Sequence, residues 1–242
     1  MNRIVAWVRR RLEPRSLRGL PLTAALAGVV LCLTLLGERT EDVLERHVSY
    51  DPAVTGFAVS HRFGALTEVM RAITWLGSPA ILVPLIVAIG ATFLIRRRDA
   101  RPGIALFAAF VGAMLLSDLG KAVVDRARPP HRLSLVSAGG TAFPSGHATQ
   151  AMAVYAMVAI LASLGATRRR QLLAWSGAGA VVLLVGVSRI YLGVHWLSDV
   201  VAGYALGGLW VSILAAAAVL WTTRSRRPAR SPIGSRPEHR PA

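Results

Sequence analysis

The sequence predicts an all-α fold, a bundle of six transmembrane helices with both termini on the cytoplasmic side. Three observations carry that prediction: composition, the length of the apolar runs and the distribution of arginine. Of 242 residues, 54% are apolar and 17% charged, with a mean hydropathy of +0.51. A soluble domain normally carries about 25% charge. A disordered chain is excluded as well, because the charge does not accompany low hydrophobicity. The single cysteine, Cys32, lies in an apolar run, so neither an intrachain disulfide nor a cysteine-based metal site can form.

The apolar runs are 20–37, 75–95, 103–119, 148–166, 172–191 and 200–221. Each is close to the ~20 residues that cross ~30 Å of hydrocarbon as a helix. None shows the period-2 alternation of barrel strands, which leaves helices as the spanning form. Of the 28 basic residues, 19 fall in four segments. These are the N-terminus, the connection after the second span (Arg96, Arg97, Arg98, Arg101), the one after the fourth (Arg168, Arg169, Arg170) and the C-terminal tail. With six spans all four lie on one side, and the positive-inside rule makes it cytoplasmic. The net charge of +16 thus reflects topology and contact with anionic lipid heads, with no nucleic acid implied.

The expected organisation is a basic cytoplasmic N-terminus over 1–19, a membrane domain over 20–221 and a disordered basic cytoplasmic tail over 222–242. An Ala-x-Ala triplet at Ala25–Ala27 lies inside the first apolar run and not after it. The first span is therefore expected to remain as an uncleaved anchor. Between the first two spans, the outer segment 38–74 contains Asp51-Pro52, the form of a helix N-cap with proline in the first turn. Leu66, Val69, Met70 and Ile73 then recur at the spacing of an amphipathic helix, lying at the membrane interface or packed on the bundle end.

Ionisable residues at the ends of spans are costly and mark function. In this topology they converge on the outer face. Lys121 and Arg128 follow the third span, Ser145 and His147 lead into the fourth, Arg189 closes the fifth, and His195 with Asp199 opens the sixth. Lys121 is the sole lysine of the chain. Its alternatives are a compact ammonium required at a site or a pair with Asp118 three residues earlier. Arg128-Pro129-Pro130 puts a planar guanidinium on stiffened backbone, suited to bidentate phosphate binding. Phe143-Pro144-Ser145-Gly146-His147 enters a helix whose free N–H groups can hold an anion. His195 and Asp199 stand one helical turn apart, so a carboxylate can orient the imidazole. Each piece alone also fits a plain cap, a surface charge or a structural pair. His47, His61, His131 and His239 have no such company and are expected at the surface.

Together these residues spell Lys121-x6-Arg128-Pro129, Pro144-Ser145-Gly146-His147 and Ser188-Arg189-x5-His195-x3-Asp199. This resembles the three-part signature of the type 2 phosphatidic acid phosphatase (PAP2) superfamily, which includes undecaprenyl-diphosphate phosphatases, glucose-6-phosphatase and the vanadium haloperoxidases. The match covers 121–199 directly, with no departure at its eleven positions. The resemblance implies a bacterial plasma-membrane lipid phosphatase with its site on the periplasmic or extracellular face. His195 would be the nucleophile forming a phosphohistidine, Asp199 its orienting carboxylate and His147 the general acid. Lys121, Arg128, Arg189 and the Ser145–Gly146 turn would bind phosphate. No acidic cluster suited to Mg²⁺ occurs among these residues, so the expected hydrolysis needs no metal or other cofactor. The expected partner is a membrane lipid phosphate, with undecaprenyl diphosphate first, then phosphatidic acid or phosphatidylglycerol phosphate. The alternatives are a lipid phosphotransferase sharing the intermediate and a non-catalytic anion-binding bundle. The haloperoxidase branch is soluble and does not fit this chain.

Overall fold

The computed structural model describes residues 27–28, 31–32, 37, 40, 48 and 50–224. Its elements in chain order are α1 (Tyr50–Ser60), α2 (Gly64–Trp75), α3 (Pro79–Arg97), α4 (Arg101–Val124), a short 3-10 turn (His131–Leu133), α5 (Gly146–Ser163), α6 (Arg168–Tyr191) and α7 (Leu197–Arg224). No strand occurs among the described residues. The N-terminal segment 1–19, most of the first expected span and nearly all of the tail lie outside them. Of that span Ala27, Gly28, Leu31, Cys32 and Gly37 are helical. Gly28 packs against Ser212 and Cys32 against Gly208, which sets this segment beside α7.

Helices α3, α4, α6 and α7 (to Val219) are long and apolar enough to cross a membrane. Their outward faces remain apolar, with Val87, Ile95, Phe107, Leu115 and Leu183 all exposed. A helix apolar on every side belongs in lipid or in a core. The fifth of these segments, α5, is the core. It packs between α4, α6 and α7 and buries Ala148, Ala151, Ala153, Val154, Met157 and Ala159. Polar Thr149 and Gln150 on its first turns keep its composition from reading as a simple lipid-facing span.

Small residues let the α5 and α7 backbones approach closely. Gly203 and Gly207, four residues apart, face the start of α5. A Cβ on Gly203 would stand 2.8 Å from the Ser145 carbonyl oxygen, and one on Gly207 2.5 Å from that of Thr149. This is the small-xxx-small contact by which membrane helices associate through van der Waals packing. The helix ends run past the apolar runs, α4 to Val124 and α6 back to Arg168, because helical geometry continues into the polar termini. The C-terminal ends of α4 and α6 and the N-terminal ends of α5 and α7 gather at one pole. Arg96, Arg97, Arg101 and Arg168 to Arg170 lie at the opposite ends of their helices.

The outer segment differs from expectation in two respects. Asp51 sits inside the first turn of α1, and its buried carboxylate accepts hydrogen bonds from Ser198 N at 3.0 Å and Ser198 Oγ at 2.5 Å. It therefore caps α7, not its own helix. On α2, Leu66, Met70 and Ile73 pack against Tyr191, Leu192 and Val194, while Val69 points outward. Arg62, between α1 and α2, ties this segment to α6 by donating its Nε to the Tyr191 carbonyl at 2.9 Å.

Candidate active site

The site is built around the first turn of α5. Ser145 takes the N-cap position with extended backbone, yet its Oγ makes no capping bond. That hydroxyl is buried and has no hydrogen-bond partner in the protein, and neither has Ser117 Oγ on α4. A methyl group placed on Gly146 would stand 3.4 Å from Ser117 Oγ and 3.5 Å from Lys121 Nζ. Ser117 and Lys121 are one turn apart on α4 and so share a face. Both of them, and the turn Ser145–Gly146, thus border one small volume at a helix N-terminus, where free N–H groups favour an anion. Lys121 Nζ also reaches Asp118 Oδ1 at 3.3 Å. Asp118 is largely exposed, and such a pair is worth little.

Arg189, at the end of α6, is buried with no carboxylate of the described residues beside it. Its Nη1 donates to Thr74 Oγ1 at 2.9 Å, and its Nε has no partner. A buried guanidinium without a counter-charge is costly unless an anion completes it. His147 lies within electrostatic reach of Arg189, His195, Lys121 and Arg128. Behind it is the turn between α2 and α3. A Cβ on Gly77 would come within 3.1 Å of the His147 carbonyl oxygen and 2.6 Å of Val185. Only glycine leaves the backbone of His147 where it is.

His195 stands on the sharp turn between α6 and α7. Gly193 adopts φ +72° there, a left-handed conformation that glycine takes without strain. Arg128 Nη1 lies 3.2 Å from His195 Nε2. A guanidinium can only donate, so Nε2 accepts and the ring proton sits on Nδ1. Arg128 also donates to the carbonyls of Val194 at 2.7 Å, Gly139 at 2.8 Å and Gly140 at 3.1 Å. Full burial pushes the His195 imidazole down to about 4. Asp199 opposes that shift, and Arg189 and Arg128 add to it. His195 is accordingly neutral at physiological pH, with its Nε2 lone pair directed to the site.

The expected His195–Asp199 pair is present as a contact of 3.4 Å between Nδ1 and Oδ2. It is not a hydrogen bond of good geometry, since Nδ1 remains unpartnered. Asp199 is engaged elsewhere. Its Oδ2 accepts from Trp196 N at 2.8 Å and its Oδ1 from Arg126 Nη1 at 2.5 Å.

Lys121, Arg128, Ser145, Gly146, His147, Arg189, His195 and Asp199, drawn from three separate stretches of chain, thus meet at one pole of the bundle. His61 and His131 are exposed, as expected, while His47 and His239 lie outside the described residues. Ser117, Gly77, Thr74 and Arg126 escape the sequence reading, and Asp51 enters it only as a helix cap. Ser117 alone left a trace, as a hydroxyl four residues before the sole lysine inside an apolar run. Among the described residues no group of three His, Cys, Asp or Glu side chains could hold a metal ion.

A multi-pass helical protein with basic side chains and unpartnered donors gathered at one pole is the class this geometry defines. Comparison with known proteins gives the family. The PAP2 superfamily profile matches residues 102–225. Phosphatidylglycerophosphatase B of Bacillus subtilis is 37% identical over 161 residues, covering 66% of this chain and 78% of that protein. Undecaprenyl-diphosphatase of Sulfolobus acidocaldarius is 28% identical over 178 residues, covering 70% and 79%. The crystal structure of a transmembrane PAP2-type phosphatidylglycerolphosphate phosphatase from Bacillus subtilis superposes with a TM-score of 0.69 at 32% identity. That match covers 85% of this chain and 98% of the other. The chain belongs to the PAP2 superfamily and is a membrane phosphatase.

Proposed function

We propose that this chain is a six-span lipid phosphatase of the bacterial plasma membrane, acting on a headgroup at the outer face through a phosphohistidine. The observation that carries the reading is the gathering of unpartnered donors, Ser145 Oγ and Arg189 Nε, with Lys121 and the lone pair of His195 around one helix N-terminus. These are the groups a phosphate dianion completes.

In the first step His195 Nε2 attacks phosphorus in line, and the bond from phosphorus to the leaving oxygen breaks. Arg128 exchanges Nε2 for a phosphoryl oxygen, while Lys121, Arg189 and the Ser145–Gly146 turn hold the others. The dianion brings the negative charge against which His147 carries its proton, and His147 delivers that proton to the leaving oxygen. In the second step His147 takes a proton from water, the water oxygen bonds to phosphorus, and the bond to Nε2 breaks, releasing phosphate. Donors fixed before charge develops supply most of the acceleration. Asp199 faces the Nδ1 edge of His195 throughout, beside the positive charge the ring gains when Nε2 bonds phosphorus.

The arginine-rich helix ends opposite the site support a cytoplasmic location for that pole, an outer location for the site and cytoplasmic termini. On this reading 1–19 is a basic cytoplasmic N-terminus and 222–242 a basic cytoplasmic tail of a 20–221 membrane domain. The relatives at 37% and 32% identity are named for phosphatidylglycerol phosphate, which moves that lipid ahead of undecaprenyl diphosphate as the substrate of this proposal. The undecaprenyl-diphosphatase relative keeps the polyprenyl substrate as the second reading.

The test is phosphate release by purified protein from phosphatidylglycerol phosphate, undecaprenyl diphosphate and phosphatidic acid, with chelator present. The expected result is free inorganic phosphate, fastest from the first lipid and lost in His195→Ala by about 10³-fold or more. A phosphorylated lipid in place of free phosphate would make the chain a phosphotransferase. Activity abolished by chelator would overturn the metal-independent step.

A further inference from the structure

Asp51 lies on α1, before the stretch matched by the family profile and apart from the signature residues. It is nevertheless 1% exposed, as buried as Asp199 at 0%. A buried carboxylate is retained only where charge and hydrogen bonds compensate it. Its compensation leads to the nucleophile. Arg126 Nη2 donates to Asp51 Oδ2 at 2.7 Å, and Arg126 Nη1 donates to Asp199 Oδ1 at 2.5 Å and to Ser198 Oγ at 2.6 Å. Asp199 Oδ2 in turn faces His195 Nδ1. The order is therefore His195, Asp199, Arg126, Asp51, with Trp196 stacked beside the guanidinium.

The charge count gives Asp51 its role. Arg126 and Asp199 alone cancel, and a cancelled carboxylate offers little to an imidazole that becomes positive when Nε2 bonds phosphorus. With Asp51 included, the trio of side chains carries one net negative charge. Among the described residues, Arg189 and Arg128 also act on His195, and both are basic and work against that positive ring. We infer that Asp51, acting through Arg126, is a positioning residue for the phosphatase reaction that preserves the net negative charge Asp199 presents to His195.

This inference rests on the reading of His195 as nucleophile, and the experiment separates the two. Asp51→Asn keeps an acceptor for Ser198 N, and so the cap on α7, but removes the charge. Its kcat is expected to fall about tenfold, the equivalent of one pKa unit, with KM within about twofold of the parent. Asp51→Asn combined with Arg126→Gln leaves Asp199 alone before His195. The double variant is expected to recover most of the lost kcat, which a merely structural role for these residues would not allow. Wild-type kcat in the single variant, or a double variant slower than the single, overturns the inference. Should Asp51→Asn fail to purify folded, Asp51→Glu replaces it as the reference, and a double variant inactive beside an active Glu variant overturns the inference. His195→Ala is run in parallel. Phosphate release surviving there sinks the nucleophile assignment itself, whereas loss there with an unaffected Asp51→Asn sinks only the present inference.

Discussion

Two arginines at the same pole of the bundle are held in opposite ways. Arg126 is paired with Asp51, Asp199 and Ser198, so its charge and those of the two carboxylates beside it are compensated within the protein. Arg189 is more deeply buried and meets one threonine hydroxyl, with its Nε and the nearby Ser145 and Ser117 hydroxyls left over. Some helix hydroxyls bond back to their own turns, as Thr92 does to Ala88 at 2.7 Å and Ser188 to Val185 at 2.6 Å, whereas Thr55 Oγ1 and Ser163 Oγ are buried without a partner as well. Burial alone therefore does not mark a working charge. The mark is whether the protein itself supplies the compensation. Arg126 ties the carboxylates of the pole together, and Arg189, in the proposed function, holds what arrives there.

The contrast is sharpest in stability. Arg126→Met strands two buried carboxylates and is expected to cost about 3–5 kcal/mol, read as a large drop in unfolding temperature in detergent. Arg189→Met removes a cation that has no protein counter-charge, so its unfolding temperature should hold or rise. Its kcat/KM should fall about 10²–10³-fold, the scale of losing one transition-state donor. A destabilised Arg189→Met would break the comparison. Ser117→Ala is expected to lower kcat/KM about tenfold with no loss of stability, because an unpartnered hydroxyl contributes nothing to the fold. Wild-type kinetics in that variant would return Ser117 to the packing.

The smallest effect concerns pH. Burial holds the His195 imidazole near 4 against 6.5 for the free group. The folded protein therefore binds this proton less readily than the unfolded chain does. Stability from this group is fully present above 6.5 and declines as pH falls toward 4. Between pH 7 and 5.5 the acid limb of kcat/KM should change by less than about twofold, where an unperturbed histidine nucleophile would lose about tenfold. A limb centred near 6.5 would show that the group titrating in catalysis is not a nucleophilic His195 held near 4.

Four of the spans, and the spacing of the motif residues, were legible because each follows from local pattern. Lipid imposes long apolar runs, and the signature holds fixed spacings between Lys121 and Asp199. What escaped depends on contacts between distant stretches. Asp51-Pro52 carries the local form of a helix cap, and nothing near it in sequence says that the helix it caps begins at Leu197. Arg126 stands two residues before Arg128 with the same side chain, and only the folded pole assigns one to carboxylates and the other to the imidazole. Val69 fits the spacing of the α2 stripe but falls at its margin, where a 3.6-residue period turns it away from Tyr191. Gly77 and Gly203 are ordinary glycines until a second helix is laid against them.

One backbone bond links the halves of the site. Ser145 N donates to the Asp199 carbonyl oxygen at 3.0 Å, joining the turn before α5 to the first turn of α7. The two imidazoles thus ride on a common splice. A tilt of the bundle with bilayer thickness or lateral pressure would then carry both together, and the line of attack that the proposed mechanism needs would survive a change of lipid environment.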